Sequence, residues 1–237
     1  MLPVGALLPD ALPGERLTAR GRPTGALRDE LYRMHPVRNV FNVVAVWVQS
    51  VGVIVAALWL HNPLAWVAAF LLMSRAFALF AILGHEAAHR LLFSNKTVND
   101  RVGKWLVAYP AFVPLDAYRR SHMAHHKEEF GPNEPDLALY SGYPITAASW
   151  HRKLLRDADG NSGWKNLKLL LLAVRSTTAR PVALRILAWQ LVLFVGLWAA
   201  LGHWWIYPVF WLLPWMTVWR VLNRLRRDDI DHHAAHD

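Results

Sequence analysis

Two groups of histidines have residue types and spacing suited to metal chemistry. His85 and His89 lie four residues apart in His-Glu-Ala-Ala-His, and His122, His125 and His126 form a second group in His-Met-Ala-His-His. Residues four apart share one face of a helix, so the two histidines of the first group can point at a common centre, as can the outer pair of the second group. Imidazole is a good ligand for iron, zinc, copper and nickel. The spacing therefore predicts a metal site assembled from two short helical pieces.

The first group also has the His-Glu-x-x-His form of zinc proteases, in which the glutamate, here Glu86, is the general base. An intramembrane protease of that kind needs a third ligand, and Asp116, 27 residues after His89, is the candidate. This alternative gives no role to the second histidine group. We therefore favour metal binding by both groups and keep the zinc protease as a remote alternative.

Long apolar segments must position these histidines. Residues 39–60 contain no charged residue, and 22 residues of helix span roughly 33 Å, which is enough to cross the hydrocarbon core. Further apolar segments at 64–84, 184–201 and 205–222 bring the predicted transmembrane helices to four. We expect an all-α integral membrane protein. An N-terminal arm (1–38) precedes a membrane domain (39–227) with a cytoplasmic helical cap that carries the histidines, and a short tail (228–237) follows.

Other segments of the chain are expected to deviate from simple spans. Residues 105–115 are apolar but too short to cross a membrane, so a re-entrant or interfacial piece is expected there. Residues 164–174 have the pattern of a basic amphipathic helix on the membrane surface. In the fourth predicted span, Pro208 and Pro214 predict kinks.

The basic residues predict the orientation of the chain in the membrane. Of 26 Lys and Arg residues, 6 precede the first span, 15 lie between positions 90 and 185, and 4 lie at or beyond the end of the fourth span. None lies in the turns at 61–63 and 202–204. The positive-inside rule then places both termini and the histidine groups in the cytoplasm. Because topology accounts for the net charge of +9, we expect no nucleic acid partner.

Arg75 is the one basic residue inside a predicted span. One interpretation is an inward-facing side chain that pairs with a lipid head group or a buried carboxylate. The other is a side chain that extends along the helix toward an interface. The sequence leaves both open.

The histidine groups and their flanks resemble the integral-membrane fatty acid desaturase and hydroxylase family. The first group lies at the end of the second predicted span, and the second group follows 33 residues later. The flanking residues agree, in Gly-His-Glu-Ala-Ala-His-Arg at 84–90 and Tyr-Arg-Arg-Ser-His at 118–122. The stretch Asn-Glu-Pro-Asp at 133–136 is similar to an acidic stretch of that family. The resemblance covers about residues 39–226.

The resemblance implies a function, a cofactor and partners. It implies a non-haem centre of two iron ions that uses O2 and two electrons to desaturate the acyl chains of membrane lipids, with hydroxylation as the alternative outcome. His85, His89, His122, His125 and His126 would be iron ligands. Second-shell carboxylates would orient the rings, and the candidates are Glu86, Asp116 and Asp136. An acidic ferredoxin or cytochrome b5-type protein would supply the electrons by docking on the basic central region.

The chain departs from the family after the fourth predicted span. Members carry a third histidine box well beyond that span, whereas this chain ends with Asp-His-His-Ala-Ala-His-Asp. One expectation is a truncated product with an incomplete site, either impaired or catalytically inactive. The other is that His232, His233 and His236 replace the third box. We favour truncation, because precise metal sites are built on rigid elements and not on terminal tails.

Overall fold

A computed structural model describes residues 14–18, 22–31, 33–128, 135 and 145–233, with side chains described as far as residue 225. The described elements are helices, in agreement with the predicted all-α class, and the described residues form one isolated β-bridge and no strand. The elements are α1 (Gly25–Leu31), α2 (Pro36–Leu60), α3 (Pro63–His89), α4 (Lys96–Val102), a first π-helix (Gly103–Ala108), α5 (Leu115–Glu128), α6 (Ala147–Ala158), α7 (Asn161–Ala173), α8 (Arg180–Leu201), a second π-helix (Pro208–Leu212), α9 (Leu213–Met216) and α10 (Val218–His233).

The first two apolar segments form a helical hairpin. His61 ends α2 with a left-handed backbone conformation (φ 48°). The side chain of Asn62 then caps α3 by accepting a hydrogen bond from the backbone N–H of Leu64 at 2.8 Å. Pro63 occupies the first turn of α3, where a missing N–H costs nothing. These three residues explain the tight turn that the sequence predicted.

Three helices in the described part of the chain are long and apolar enough to cross a membrane: α2, α3 and α8. The fourth predicted span, 205–222, is not one continuous helix. Its range contains the second π-helix, then the four residues of α9, and a break at Thr217 (φ −115°, ψ −94°) before α10. Pro208 and Pro214 remove backbone donors in this range, which explains the irregularity. Whether it crosses the membrane stays a prediction.

The apolar stretch at 105–115 forms no spanning helix within the described residues, and its residues 107–112 are buried. The first π-helix ends before a turn whose carbonyl groups point into the helix bundle. Gln190 of α8 donates to the carbonyls of Tyr109 at 2.7 Å and Pro110 at 3.2 Å. The indole of Trp211 also donates to Pro110 at 3.1 Å. These donors satisfy carbonyls that would otherwise be unpaired in an apolar environment.

Aromatic side chains fill the core between α2, α3 and the second π-helix. The ring of Trp211 lies 5.7 Å from Trp47, 5.6 Å from Phe77 and 6.0 Å from Phe80, measured between centroids. All but Trp47 are almost fully buried. Burial of rings this large supplies much of the apolar stabilisation of a domain, so this cluster anchors α3, the helix that carries the first histidine group.

Helices α6 and α7 pack against α9 and α10. Buried Asp157 of α6 forms an ion pair with Arg224 of α10. Gly163 of α7 lies directly against the backbone of Met216, where an added Cβ would meet the carbonyl oxygen at 2.4 Å. Helix α7 covers the predicted amphipathic segment, and its position on the membrane surface stays a prediction.

Candidate metal centre

The end of α3 and the middle of α5 bring the two histidine groups together. One potential ligand atom from each of His85, His89 and His122 lies within 4.8 Å of the others. The Nε2 atoms of His89 and His122 are 2.9 Å apart, and those of His126 and His122 are 3.1 Å apart. His122 is therefore the centre of the group. The predicted convergence of two helical pieces is found in the structure.

The fourth and fifth histidines occupy the edge of this cluster. The ring of exposed His126 is 4.5 Å from His122 and 5.1 Å from His89, between centroids. The ring of His125 is further away, 6.3 Å from His122 and 5.6 Å from His126. Three histidines thus form a compact group, a fourth adjoins it, and the fifth lies outside it.

The environment of His122 keeps its imidazole neutral. Burial, and after it the neighbouring imidazoles of His85, His126, His89 and His125, together lower the pKa of His122 to about 4. The phenol ring of Tyr118 stacks on His122 at 5.3 Å, and its hydroxyl lies 3.4 Å from Nδ1 of His85. At neutral pH the lone pair of His122 is available to a metal, because no proton occupies it.

A clamp formed by Asn99, Asp100 and Arg119 fixes the two histidine helices relative to each other. Arg119 of α5 donates to the carbonyls of Ala87 and Ala88, both at 2.9 Å, and to Asp100 at 2.6 Å. The two carbonyls belong to the last turn of α3, where the helix dipole favours a cation. Arg119 therefore ties α5 to the end of α3, three residues before His122 and beside His89.

Asn99 completes this clamp from α4. Its side chain is fully buried, donates to the carbonyl of Ala87 at 3.0 Å, and accepts hydrogen bonds from the backbone N–H groups of Leu92 at 3.1 Å and Phe93 at 3.4 Å. These bonds hold the chain where it leaves α3 after Arg90, whose backbone is left-handed (φ 62°). No motif or spacing in the sequence indicates a role for Asn99.

Asp100 balances the charge of the clamp. It accepts hydrogen bonds from Arg119 and Arg90, the latter at 3.2 Å. Burial raises the pKa of the Asp100 carboxyl, but hydrogen bonds from Arg119, Asn99 and Arg90 outweigh burial, so its pKa is lowered. Asp100 is therefore a carboxylate at neutral pH. One sequence signal pointed to Arg119: it lies one helical turn before His122 and so faces the same neighbouring helix.

The role of Glu86, Asp116 and Asp136 as carboxylates that orient the histidine rings stays a prediction. Asp116 forms ion pairs with Lys104 at 2.7 Å and with Arg119 at 3.6 Å. Among the described side chains, no imidazole donates a hydrogen bond to Glu86 or Asp116. The carboxylate that the zinc protease alternative required as a ligand is thus engaged elsewhere. Asp136 lies outside the described residues, as do the side chains of the tail histidines His232, His233 and His236.

The side chain of Arg75 is exposed on the outer surface of α3 and donates to the amide oxygen of Gln49 on α2 at 2.6 Å. The interpretation of an inward-facing arginine is therefore wrong. The interpretation of a side chain that extends along the helix toward an interface stays a prediction. The contact with Gln49 is a polar link between two neighbouring apolar helices.

Comparison with known proteins supports one family. A family model described as "Fatty acid desaturase" matches residues 57–237. The sn-1 oleoyl-lipid 12-desaturase of Arthrospira platensis is 30% identical over 120 residues, which is 51% of this chain and 32% of that protein. The chloroplastic omega-6 fatty acid desaturase of Brassica napus is 28% identical over 208 residues, which is 76% of this chain and 42% of that protein.

The name of a third relative includes ferredoxin, an electron donor. The sn-1 acyl-lipid omega-3 desaturase (ferredoxin) of Nostoc sp. (strain 36) is 29% identical over 92 residues, which is 39% of this chain and 23% of that protein. The chain spans less than half the length of each of these three relatives. No solved structure matches the chain.

Proposed function

The chain belongs to the fatty acid desaturase family, and we propose that it is a membrane desaturase that introduces double bonds into the acyl chains of lipids through a histidine-bound iron centre. The observation that carries this proposal is the convergence of three imidazole nitrogens from α3 and α5. A relative that acts on oleoyl lipid supports the substrate class. Hydroxylation of the same substrates is the alternative outcome within the family.

The residues present fit an iron ion. Two imidazole nitrogens bound to one ion, each at about 2.1 Å from it, lie at most about 4.2 Å apart. The three potential ligand atoms lie within 4.8 Å of one another, which is close to that distance. Imidazole suits iron, and the neutral state of His122 leaves its lone pair free to bind. His85, His89 and His122 would hold a first ion. His126 and His125 are the candidates for a second.

The surrounding residues orient and shield the rings. Tyr118 stacks on His122 and contacts His85, so two rings are held by one phenol. Ala87, Ala88 and Leu92, which are neighbours of His85 and His89 along the chain, are buried at the end of α3. The iron centre supplies the oxidising chemistry, in which O2, two electrons and two protons together with two hydrogens from the acyl chain yield a double bond and two water molecules.

The electron donor and the orientation are further parts of the proposal. We place the histidine cluster on the cytoplasmic side, because the basic residues are concentrated in the segments that flank it. An acidic donor such as a ferredoxin or a cytochrome b5-type protein would dock on this basic surface. The Nostoc relative, named for ferredoxin, supports the first of these donors.

Iron content and lipid composition test the proposal together. The purified protein is expected to bind iron, and His122→Ala should lower the iron affinity by at least roughly tenfold, because loss of a ligand exceeds the usual effect of an outer-shell change. His151→Ala is the matched control, since His151 is exposed on α6 and contacts the carbonyl of Ala147. Mass spectrometry of lipids from an expressing host should show new double bonds.

The results of these measurements distinguish the desaturase from its alternatives. Zinc in place of iron, or equal iron affinity in His122→Ala and His151→Ala, would contradict the proposal. Hydroxyl groups without new double bonds would favour the hydroxylase. Iron that is lost when residues 228–237 are deleted would show that the tail histidines take part in binding, whereas unchanged iron would exclude them.

A further inference from the structure

Arg75 and Gln49 form a polar contact in the middle of two apolar helices. Arg75 lies near the centre of the apolar segment at 64–84, and Gln49 lies near the centre of the segment at 39–60. At 1.5 Å per residue, the two ends of the α3 segment are roughly 14 and 17 Å from Arg75. Where α2 and α3 cross a membrane, this contact therefore lies near the middle of the hydrocarbon core.

The guanidinium of Arg75 has a positive charge that no described residue balances. Its Nη1 atom donates to the side-chain oxygen of Gln49 at 2.6 Å. A guanidinium carries five N–H groups, and neither a second hydrogen bond nor an ion pair joins Arg75 to the residues that the structure describes. Gln49 is a neutral partner, so it leaves the charge in place.

The exposure of Arg75 is unusual at this depth. Its side chain lies on the outer surface of α3 and not in the helix bundle. An exposed arginine is ordinary in water, but in the middle of a membrane its exposed surface would face lipid tails. Contact between a charge and lipid tails is costly, and charged residues at this depth usually mark a functional contact. The exposed charge therefore indicates a surface that another group covers.

Small residues flank this contact on the same surface. Gly52 and Ala56 follow Gln49 on one face of α2, and Ala68 lies two helical turns before Arg75 on α3. All three small residues are exposed, and a Cβ added to Gly52 would meet no atom within 4 Å. Small residues let the backbone of another helix approach closely within a membrane. The surface beside the charge is thus shallow enough to receive a helix.

The charge of Arg75 selects the kind of group that covers it. The apolar segments at 39–60, 64–84, 184–201 and 205–222 contain no Asp or Glu, so a second copy of this chain would bring a second Arg75 and no carboxylate from these segments. Lipid phosphates lie about 15 Å from the membrane midplane, whereas the guanidinium contacts Gln49 near the middle of α2. Charge complementarity therefore favours a carboxylate on a membrane helix of a different protein.

We propose that the outer face of the α2–α3 hairpin docks a transmembrane helix of another protein, and that this helix carries an Asp or Glu at mid-depth. The carboxylate forms an ion pair with Arg75, and the helix backbone packs against Gly52, Ala56 and Ala68. Gln49 holds the guanidinium at the depth of the carboxylate. The docking depends on α2 and α3 crossing the membrane and not on the reaction proposed at the histidine cluster. It places a second membrane protein beside the helix that carries the first histidine group.

Fluorescence energy transfer in neutral phosphatidylcholine vesicles tests this proposal. The full chain carries a donor dye on His203→Cys, in the exposed turn after α8. The probe is a synthetic polyleucine transmembrane helix with one central Glu and an acceptor dye at its end. We expect saturable binding of this peptide. The same peptide with Leu in place of Glu should bind about tenfold more weakly, because one polar contact between membrane helices is worth about that factor.

Substitutions separate the charge of this surface from its shape. Arg75→Leu should bind the Glu peptide and the Leu peptide equally. Gly52→Leu should weaken binding of the Glu peptide, because it fills the space that the helix needs without removing the charge. Arg185→Leu is the matched control and should leave binding unchanged, since it removes an exposed arginine near the start of α8.

Four results would overturn the proposal. The first is equal binding of the two peptides by the unsubstituted surface, and the second is an unchanged preference for the Glu peptide in Arg75→Leu. The third is energy transfer between copies of the chain that Arg75→Leu abolishes, which would assign the surface to self-association. The fourth is loss of Glu-peptide binding in vesicles of anionic phosphatidylglycerol, which would assign the partner of Arg75 to a lipid phosphate. His122→Ala should bind the Glu peptide normally, which separates this result from failure of the iron proposal.

Discussion

At the scale of single residues, the histidine cluster depends on side chains that bind backbone carbonyl groups. Asn99 and Arg119 both reach the carbonyl of Ala87 in the last turn of α3. The histidines themselves could be predicted, because helical spacing alone aligns them. The clamp could not be predicted, because every residue has a backbone carbonyl and the sequence does not show which side chain will bind it. The two partners of the Ala87 carbonyl lie 12 and 32 residues away along the chain.

Replacing Asn99 by alanine is expected to weaken both the fold and iron binding. The buried N–H groups of Leu92 and Phe93 would lose their acceptor, at a cost of about 1–3 kcal/mol. The segment after His89 would then hold the ring less firmly, and outer-shell changes of this kind typically lower metal affinity by about 10- to 100-fold. Thermal unfolding in detergent and competition with an iron chelator measure the two effects.

Asn161→Ala is the matched control for that experiment. Asn161 is exposed at the start of α7, and its side-chain amide donates to nearby Asp159 at 2.7 Å. We expect its iron affinity and melting temperature to equal those of the wild-type protein. If the two alanine variants behaved alike, the clamp would have no part in positioning the histidines.

At the scale of secondary-structure elements, apolar length predicted three continuous helices, and two prolines predicted the interruption of the fourth apolar segment. The ranges of α2, α3 and α8 correspond to the predicted spans because each is a continuous apolar run. In 205–222 the composition is equally apolar, but Pro208, Pro214 and the break at Thr217 divide it. Hydropathy indicates whether a segment suits an apolar environment. The continuity of a helix depends instead on whether each residue has a backbone N–H that can donate to the preceding turn.

The contact between α7 and the end of α9 depends on Gly163. In Gly163→Ala the added Cβ would lie 2.4 Å from the backbone carbonyl oxygen of Met216, so one of the two helices must move. Overpacking of this kind costs about 1–3 kcal/mol. We expect a lower melting temperature, because α7 and the end of α9 can no longer pack at this distance.

Gly196→Ala provides the comparison within a helix. An added Cβ at Gly196 of α8 meets no atom within 4 Å. Alanine also favours a helix over glycine by roughly 0.5–1 kcal/mol, so this variant should be as stable as the wild type or more so. A drop in melting temperature of equal size in both variants would show that the close approach at Gly163 is unimportant.

At the scale of the whole molecule, the orientation in the membrane predicted from the basic residues can be tested directly, because the chain contains no cysteine. The chain has no cysteine, and its turns at 61–63 and 202–204 carry no Lys or Arg. A single introduced cysteine can therefore show on which side of the membrane its position lies, because no other residue of the chain reacts as a thiol. The predicted orientation rests on the positions of the Lys and Arg residues in the sequence and on no contact between helices.

We expect opposite labelling of two single-cysteine variants in intact cells. His203→Cys lies in the turn after α8, and Arg152→Cys lies on the exposed face of α6. A membrane-impermeant maleimide should label position 203 from outside and position 152 only after the membrane is permeabilised. The unmodified chain should remain unlabelled. Labelling of position 152 in intact cells would reverse the proposed orientation.

The hydrogen bond from Arg119 to Ala88 joins positions 31 residues apart, and it closes a chain loop through protein contacts alone. Closing a loop of that length in a flexible chain costs on the order of 3 kcal/mol in entropy. A metal that had to close the loop itself would bind roughly a hundredfold more weakly. The clamp would therefore preorganise His89 and His122 for a metal, because it holds the helices that carry them next to each other.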